Sequence, residues 1–546
     1  MKGLMQDWPL LVHTIIDHAA INHGQREVVS RTAEGSIHRT TYGEINDRAR
    51  KLASALDRRG YGFGDVIGTM AWNSYRHLEA WYAISGLGAV CHTLNPRLFD
   101  DQLDYIINHG EDKLIFVDSD FVPLIERLSP RLKSVREIVV LTDAAHMPDS
   151  GLENLIAYES FIEDGADDFD WPAFDENTAC GLCYTSGTTG NPKGVLYSHR
   201  SNVLHAMAVN GADNMGLKSI DVVLPVVPMF HANAWALSYS APMVGAKLVM
   251  PGAKLDGESI YELVDQEGVT FSAAVPTIWL MLLQYLEKSG NTVPKLDRVA
   301  IGGAACPPAL MEAFKEKFGV DVLHAWGMTE MSPVGTIGTL KAGVEGLDDE
   351  ELWALKQKQG RTFYTVEMKI VDDEGAEQPR DGKAYGTLKV RGVAVAGGYM
   401  KGEGAQMFDD QGWFDTGDVG TIDEHGFFQI TDRSKDVIKS GGEWISSIDL
   451  ENVAVGHPAV AEAAVIGVPH PKWDERPLLI VVSQGEVEAS KEEILSFLEG
   501  KIAKWWMPDD VVFVDEIPHT ATGKISKLGL RKKFKDYVLP SAAAAE

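Results

Sequence analysis

One stretch decides the fold of this chain: Tyr184-Thr185-Ser186-Gly187-Thr188-Thr189-Gly190-Asn191-Pro192-Lys193-Gly194. Apolar residues precede it at 181–184 and follow it at 194–197, so we predict a strand on each side of a loop. The loop carries four hydroxyl groups and two glycines ahead of a single lysine. Glycine lets backbone N–H groups converge on an anion, hydroxyl groups donate further hydrogen bonds, and lysine adds positive charge. The stretch therefore predicts a phosphate-binding loop. The alternative is a solvated linker, which rarely lies between two strands.

Two other phosphate-binding patterns do not fit this loop. The P-loop of nucleoside triphosphatases ends in Gly-Lys-Ser/Thr, whereas this chain reads Gly190-Asn191-Pro192-Lys193-Gly194. The pattern Gly-x-Gly-x-x-Gly does not fit either. A dinucleotide therefore has no support as the ligand.

The composition is that of an ordinary soluble protein with more than one domain: 546 residues, 45% hydrophobic and 24% charged. The net charge of −29 argues against nucleic acid as a partner, because that binding depends on Lys and Arg. No apolar run has the length of a membrane span, and the N-terminus lacks the features of a signal peptide, so we predict a cytoplasmic protein. The four cysteines offer only one Cys-x-x-Cys pair, inside an apolar segment, and are predicted to be buried free thiols.

Helix-like and strand-like segments alternate over most of the chain, which predicts an α/β fold with a largely parallel sheet. Two predicted strands end in small or polar residues, one before Gly302 and one before Gly327. Ligands gather at the carboxyl ends of strands in such sheets. From about residue 362, short alternating strands predict a small β region. We place the domains at 1–432 (large, N-terminal), 433–435 (hinge) and 436–546 (small, α+β, C-terminal).

Five motifs, in order along nearly the whole chain, resemble those of the adenylate-forming superfamily. This superfamily includes acyl- and aryl-CoA synthetases, firefly luciferase and the adenylation domains of peptide synthetases. The motifs are the loop at 185–193, Ala325-Trp326-Gly327-Met328-Thr329-Glu330, Thr416-Gly417-Asp418, Asp432-Arg433-Ser434-Lys435 and Pro518-His519-Thr520-Ala521-Thr522-Gly523-Lys524.

The resemblance implies a large N-terminal domain of sheets and helices with a small β-barrel-like subdomain, and a small mobile C-terminal domain. It also implies an ATP-dependent acid–thiol ligase. ATP and a small-molecule carboxylate give an acyl adenylate and pyrophosphate, the C-terminal domain turns about Lys435, and coenzyme A takes the acyl group. Mg²⁺, ATP and coenzyme A are the implied cofactors and co-substrates, and a homodimer is the implied assembly.

Residue roles also follow from the resemblance. Thr185 and Glu330 are expected to bind Mg²⁺, and Thr329 to hydrogen-bond the α-phosphate. Lys524 is expected to bring its charge to the α-phosphate during adenylation only. Asp418 would accept the ribose hydroxyls, and Arg433 would reach the ribose or a phosphate. The other expected nucleotide contacts are Ser186, Gly187, Thr188, Thr189, Gly190, Lys193, Gly303, Ala304, Ala305, Ala325, Trp326 and Gly327.

The acyl pocket is expected near His231 and Trp235, which would share one face of a helical turn, with core packing as the alternative for each. A bulky Trp235 in that position would shorten the acyl tunnel and favour a short- or medium-chain acid. Gly302, Met328 and Pro333 are further pocket candidates. The segment that resembles the wall of the pantetheine tunnel comprises Ser440, Gly441, Gly442 and Glu443.

The runs at 228–235 and 441–446 resemble marine bacterial ligases for 3-methylmercaptopropionate and their medium-chain fatty-acid relatives. Three alternatives stay open at this point: an adenylation enzyme that loads a carrier protein in trans, a luciferase-like oxygenase, and a nucleotide-binding protein without catalysis. The presence of both Lys524 and Glu330 argues against the last of these.

Overall fold

A computed structural model describes the protein over residues 1, 3–153, 155–185, 191–433, 435–441, 443–485, 489–519 and 525–543. Several predicted site residues lie outside this part of the chain. They are Ser186, Gly187, Thr188, Thr189, Gly190, Gly442 and Lys524, together with the side chain of Glu443.

The predicted α/β class is confirmed, and the described strands form four sheets. The strands are β1 (Glu27–Arg31), β2 (Ile37–Thr41), β3 (Val66–Met70), β4 (Val90–Thr93), β5 (Leu114–Val117), β6 (Glu137–Val140), β7 (Leu155–Ala157), β8 (Ala179–Tyr184), β9 (Gly194–Ser198), β10 (Val222–Pro225), β11 (Lys247–Met250), β12 (Phe271–Ala274), β13 (Arg298–Ile301), β14 (Asp321–Gly327), β15 (Val334–Ile337), β16 (Arg361–Thr362), β17 (Val366–Val371), β18 (Gly386–Gly392), β19 (Phe414–Ile422), β20 (Phe428–Arg433), β21 (Ile438–Ser440), β22 (Glu443–Ile445), β23 (Val460–His470), β24 (Asp474–Ser483) and β25 (Asp510–Phe513).

Helices pack on the faces of these sheets. They are α1 (His13–His23), α2 (Tyr42–Arg58), α3 (Tyr75–Gly86), α4 (Asp100–Gly110), α5 (Val122–Leu128), α6 (Tyr158–Glu163), α7 (His199–Val209), α8 (Leu237–Val244), α9 (Gly257–Glu267), α10 (Pro276–Ser289), α11 (Pro308–Phe318), α12 (Asp349–Gln357), α13 (Ser447–Val455), α14 (Lys491–Leu498), α15 (Lys527–Lys533) and α16 (Pro540–Ala543). None of the described helices is long and apolar enough to cross a membrane.

The first large sheet has the order β7-β6-β5-β3-β4-β8-β9 and positions the phosphate-binding stretch. Its strands are parallel except for β9, which pairs antiparallel with β8. The predicted loop therefore joins the last two strands of the sheet. It leaves β8 at the carboxyl end of that strand, which is where an open parallel sheet presents its ligand sites.

The second large sheet has the order β16-β15-β14-β13-β12-β10-β11-β1-β2. The strands from β14 to β10 run parallel, so the carboxyl ends of β10, β12, β13 and β14 meet at one edge. Helix α3 is buried along its whole length, which suits a helix that is covered on all sides. Ser74 caps the helix, because its side chain accepts a hydrogen bond from the His77 backbone N–H.

Two smaller sheets complete the molecule. Strands β17 to β20 form an antiparallel sheet in the order of the chain, as predicted for the region after residue 362. Strands β21 to β25 form a separate sheet whose centre is the long pair β23–β24. The four cysteines are free and buried, as predicted. The boundaries of the three predicted chain segments stay predictions.

Candidate active site

The mouth of the predicted phosphate loop is closed by two hydrogen bonds, one between backbone groups and one from a backbone N–H to a side-chain hydroxyl. The Thr185 N–H donates to the Lys193 carbonyl over 3.0 Å, and the Lys193 N–H donates to Thr185 Oγ1 over 3.1 Å. Tyr184, at the end of β8, is fixed below the mouth by a 2.6 Å hydrogen bond between its hydroxyl and His109 Nδ1. The two ends of the loop are therefore held in register by the sheet, as the flanking apolar runs predicted.

The predicted acidic residue lies directly after β14. Thr329 and Glu330 are both buried, at 7% and 6% exposure. The Tyr197 hydroxyl, on β9 just beyond the phosphate loop, donates to the Thr329 carbonyl over 2.7 Å. This bond ties the end of β14 in the second sheet to the strand that follows the loop in the first. The fold thus brings together two motifs that are more than 130 residues apart in the chain.

Glu330 is suited to holding a cation. Burial raises the pKa of the Glu330 carboxyl, so a nearby positive charge would favour its ionised form. Among the described residues, no group of three or more His, Cys, Asp and Glu could hold a metal ion alone. Mg²⁺ is usually held by one or two carboxylates together with substrate phosphates and water, and Glu330 offers one such carboxylate. The hydroxyl of Thr185 is a hard oxygen donor of the same kind, at the mouth of the loop.

The predicted ribose site combines three of the sequence motifs. Asp418 is buried, and Trp326 Nε1–H donates to its Oδ2 over 2.9 Å. Arg433 pairs with Asp418 across the β19–β20 ladder, and its Nε lies 3.5 Å from Asp418 Oδ1. Gly417 precedes Asp418 with φ of +69°, in the left-handed region that favours glycine. The carboxylate, the indole and the guanidinium thus form one polar cluster, and Ala325 and Gly327 flank the indole along the backbone of β14.

The acyl side departs from the prediction at His231 and Trp235. The sequence predicts that they share one face of a helical turn, and the ordinary right-handed turn on which this rests does not form. Every residue from 232 to 236 has φ between +46° and +67°, so the segment is a left-handed turn that contains three alanines, Asn233 and Trp235. His231 itself is extended, with φ of −134°. The four-residue rule for side chains on a right-handed helix therefore does not apply to this pair.

This left-handed turn places Trp235 over the turn after β13. A Cβ added to Gly302 would lie 3.2 Å from Trp235 Cη2 and 2.8 Å from the Ala325 carbonyl oxygen. A Cβ added to Gly303, whose φ is +79°, would lie 3.8 Å from Trp235 Cζ2. The indole therefore packs on the small-residue turn that continues into Ala304 and Ala305. Only glycine fits between the indole and β14.

The two further pocket candidates, Met328 and Pro333, lie between β14 and β15. The Met328 N–H donates to the Pro333 carbonyl over 3.0 Å, so both residues are held beside Glu330. The Val334 N–H, next along the chain, donates to Nε2 of the buried His205 over 3.3 Å. His205 can accept this bond only when Nε2 is unprotonated, and burial lowers the pKa of His205 to about 3. No local pattern in the sequence indicates His205, since its partner lies 129 residues away.

Comparison with known proteins agrees with this geometry. The sequence pattern of AMP-binding enzymes matches residues 16–400, and that of the AMP-binding enzyme C-terminal domain matches residues 449–524. The chain belongs to the AMP-binding enzyme family.

Individual members of the family match over nearly the full length of the chain. The chain is 53% identical to the 3-methylmercaptopropionyl-CoA ligase of Ruegeria lacuscaerulensis over 536 residues, 98% of this chain and 99% of the relative. It is 48% identical to the medium-chain-fatty-acid–CoA ligase of Ectopseudomonas oleovorans, with 100% of each chain covered. Among solved structures, the anthranilate CoA ligase AuaEII in complex with anthranoyl-AMP superposes with a TM-score of 0.85 at 26% identity, over 99% of this chain and 100% of the other.

These matches confirm the predicted family, fold class and reaction class, namely ATP-dependent ligation of a carboxylic acid to a thiol through an acyl adenylate. The acyl-CoA ligases of this family use ATP and coenzyme A as co-substrates with Mg²⁺, as predicted. The residue roles assigned from the sequence stay predictions, because each rests on position in the chain and on the contacts described above.

The predicted hinge and coenzyme A segment lie where the β19–β20 pair meets the C-terminal sheet. Ser440 is buried and accepts a 3.2 Å hydrogen bond from Arg476 Nη1. Gly441 has φ of +62°, and a Cβ there would lie 2.8 Å from Trp473 Cε3. Lys435 is exposed, three residues after Asp432. Asp432 accepts hydrogen bonds from both the N–H and the hydroxyl of Ser447, so this carboxylate joins β20 to the start of α13.

Proposed function

We propose that this AMP-binding enzyme activates a short- or medium-chain carboxylate, with 3-methylmercaptopropionate as the leading candidate, and transfers it to coenzyme A. The observation that carries the proposal is the position of Trp235 over the Gly302–Gly303 turn. An indole in that position limits the length of acyl chain that can lie beside the turn. The named activities of the two relatives at 53% and 48% identity fall in this size range, whereas a relative at 47% identity is named for long-chain fatty acids, so chain length is what the experiment must decide.

The residues of the site suit the adenylation step. Attack of a carboxylate on the α-phosphate brings two anions together, so the site must supply positive charge where negative charge develops. In our proposal Lys193 and the loop hold the β- and γ-phosphates, Glu330 and Thr185 hold Mg²⁺, and Thr329 donates to the α-phosphate. Mg²⁺ supplies charge neutralisation on the phosphate oxygens when bound.

The ribose is assigned to the cluster of Asp418, Trp326 and Arg433. An ionised carboxylate can accept hydrogen bonds from both ribose hydroxyls at once. Trp326 Nε1–H already fixes one carboxylate oxygen of Asp418, which sets the orientation of the acceptor before the nucleotide arrives. Lys524 brings a mobile charge to the α-phosphate, and Ser440 to Glu443 approach the pantetheine arm after the C-terminal domain turns about Lys435. A homodimer and a cytoplasmic location belong to the proposal as well.

The test is a panel of straight-chain acids from C2 to C12, with 3-methylmercaptopropionate, supplied with ATP, Mg²⁺ and free coenzyme A. We expect pyrophosphate release and thioester formation, with kcat/KM for the C12 acid at least about tenfold below that for the best acid. A maximum at C12 would contradict the proposed role of Trp235. Pyrophosphate release without thioester, restored by a carrier protein, would favour the adenylation enzyme that acts in trans.

A further inference from the structure

One aromatic side chain that no sequence motif singled out contacts both an acidic and a basic group of the phosphate site. Tyr399 follows β18 and is 8% exposed. Its hydroxyl donates to Glu330 Oε1 over 2.6 Å. The ammonium of Lys193 lies over its ring, with Nζ 5.5 Å from the ring centroid. Tyr399 therefore stands between the carboxylate and the ammonium expected to act on the triphosphate.

Residues that precede Tyr399 in the chain also hydrogen-bond to Glu330 and to its neighbour Ser332. The Ala396 N–H donates to the Glu330 carbonyl over 2.7 Å, and the Ser332 hydroxyl donates to the Ala394 carbonyl over 2.9 Å. Because the main chain of Glu330 and one of its carboxylate oxygens are bound by the same segment, the carboxylate has one orientation relative to β14. A fixed hydrogen bond of this kind orients a metal-binding carboxylate and leaves its other oxygen for the cation.

The ring of Tyr399 is fixed as tightly as its hydroxyl. Phe408 packs against it with ring centroids 5.7 Å apart, and Phe414 packs at 6.4 Å, both edge to face. On its other side stands Gly404, with φ of +60°, where a Cβ would lie 2.9 Å from Tyr399 Cδ2 and 3.2 Å from Lys193 Cε. A side chain at position 404 would press on Lys193 and move it away from the Tyr399 ring, and glycine avoids this contact.

Separation of Glu330 and Lys193 has a chemical consequence. A direct ion pair between them would satisfy each charge with the other, and both would have to be released before binding Mg²⁺ and phosphate. In the structure Tyr399 contacts both residues, through its hydroxyl on Glu330 and its ring under Lys193. Glu330 is bound instead by a neutral phenol, and Lys193 by a neutral aromatic face, an interaction worth about 0.5–2 kcal/mol. The contact of Lys193 with the ring is weak enough to be replaced by a phosphate, while the phenol hydroxyl stays on the Glu330 carboxylate.

We propose that Tyr399 is a positioning residue for the metal–pyrophosphate half of the reaction. Its hydroxyl orients the Glu330 carboxylate for Mg²⁺, and its ring keeps Lys193 apart from Glu330 and beside the path of the β- and γ-phosphates. This role rests on the proposed assignment of Glu330 and Lys193 to the triphosphate. It is independent of which acid the enzyme activates.

The test is Mg²⁺-dependent ATP binding by Tyr399→Phe, measured by calorimetry without any acid. The variant keeps the ring and loses the hydroxyl. We expect the Mg²⁺ concentration needed for half-maximal enhancement of ATP affinity to rise about tenfold, the scale for loss of a residue that orients a metal ligand. ATP affinity in EDTA should change less than about twofold. A Mg²⁺ requirement within about twofold of the wild type would overturn the proposal.

Two further variants separate positioning from general stability. Tyr42→Phe, in α2, is the matched control. It also removes one buried hydrogen bond, which the Tyr42 hydroxyl donates to the Ala246 carbonyl over 2.5 Å. It should leave the Mg²⁺ requirement unchanged, and a change equal to that of Tyr399→Phe would overturn the proposal. Tyr399→Leu removes the ring as well and should weaken pyrophosphate affinity in the reverse exchange beyond the effect of Tyr399→Phe. Because ATP binding is measured without any acid, its result can be interpreted even if none of the acids in the panel is activated.

Discussion

The two halves of the site are built in opposite ways. The predicted phosphate side (Thr185, Lys193, Thr329, Glu330 and Tyr399) lies close to the ends of regular strands and is held by hydrogen bonds of backbone and side-chain groups. The acyl side (His231, residues 232–236, Gly302, Gly303 and Pro333) depends on an irregular backbone with five consecutive left-handed residues. The phosphate side fixes the positions of charged groups, whereas the acyl side sets the shape of the proposed pocket wall.

The difference shows where the chain stores strain. A left-handed conformation costs roughly 1–2 kcal/mol per residue other than glycine, and such residues usually occur singly. Only Asn233 in the turn is of a type that tolerates this region well, and its amide also donates to Asn202 Oδ1 over 3.2 Å. Strain of this size persists only where the surrounding packing over-determines the backbone. The acyl side therefore depends on the rest of the fold more than the phosphate side does.

The largest expected effect comes from Lys524, which is not one of the five residues of the phosphate side but is proposed to act on the same nucleotide. Lys524→Ala should lower the rate of acyl-adenylate formation by about 10²–10³, the scale for removal of one electrostatic donor at the reacting atoms. Thioester formation from supplied acyl adenylate should change little, because the charge is needed only in the first step. Pyrophosphate release and thioester formation are measured separately. Lys532→Ala, an exposed lysine in α15, is the matched control. Normal pyrophosphate release by Lys524→Ala would contradict the assignment.

A substitution at Asn233 tests the strain on the acyl side. Asn233→Val places a β-branched residue at φ of +58°, whereas Asn233→Gly removes the same amide at a residue that adopts this φ freely. We expect the valine variant to be less stable than the glycine variant by about 1–2 kcal/mol in denaturant unfolding. Both should raise KM for the acid more than KM for ATP. Equal stability of the two variants would mean that the left-handed turn carries no strain.

The smallest effect concerns the depth of the pocket. Trp235→Ala should improve kcat/KM for C10 and C12 acids relative to C4 by about tenfold, because each methylene admitted to an apolar pocket adds about 0.8 kcal/mol. The KM for ATP should remain close to that of the wild type. Trp505→Ala, at an exposed tryptophan in the C-terminal part of the chain, is the matched control. An unchanged chain-length profile would assign Trp235 to core packing, the alternative left open by the sequence.

Much of the phosphate side could be predicted because its signals are local. The apolar runs beside the loop form β8 and β9, and the strand before Thr329 is β14. Helix α2 buries Ile45, Ala49, Leu52 and Leu56, which recur at the spacing of one helix face. Periodicity, capping residues and loop composition act within a few residues, so a single sequence records them.

The sequence by itself determined the phosphate loop, the strands that carry it, the motif residues and the reaction class. Only the tertiary structure decided three things: that Tyr399 bridges Glu330 and Lys193, that Tyr197 ties one sheet to the other, and that residues 232–236 wind left-handed. The hydroxyl of Tyr399 binds a residue 69 positions away, and no local pattern encodes such a pairing. The left-handed turn runs against the intrinsic preference of alanine and tryptophan, so local propensity predicts a right-handed turn. Packing of Trp235 against the Gly302–Gly303 turn and the hydrogen bond to Asn202 override this preference.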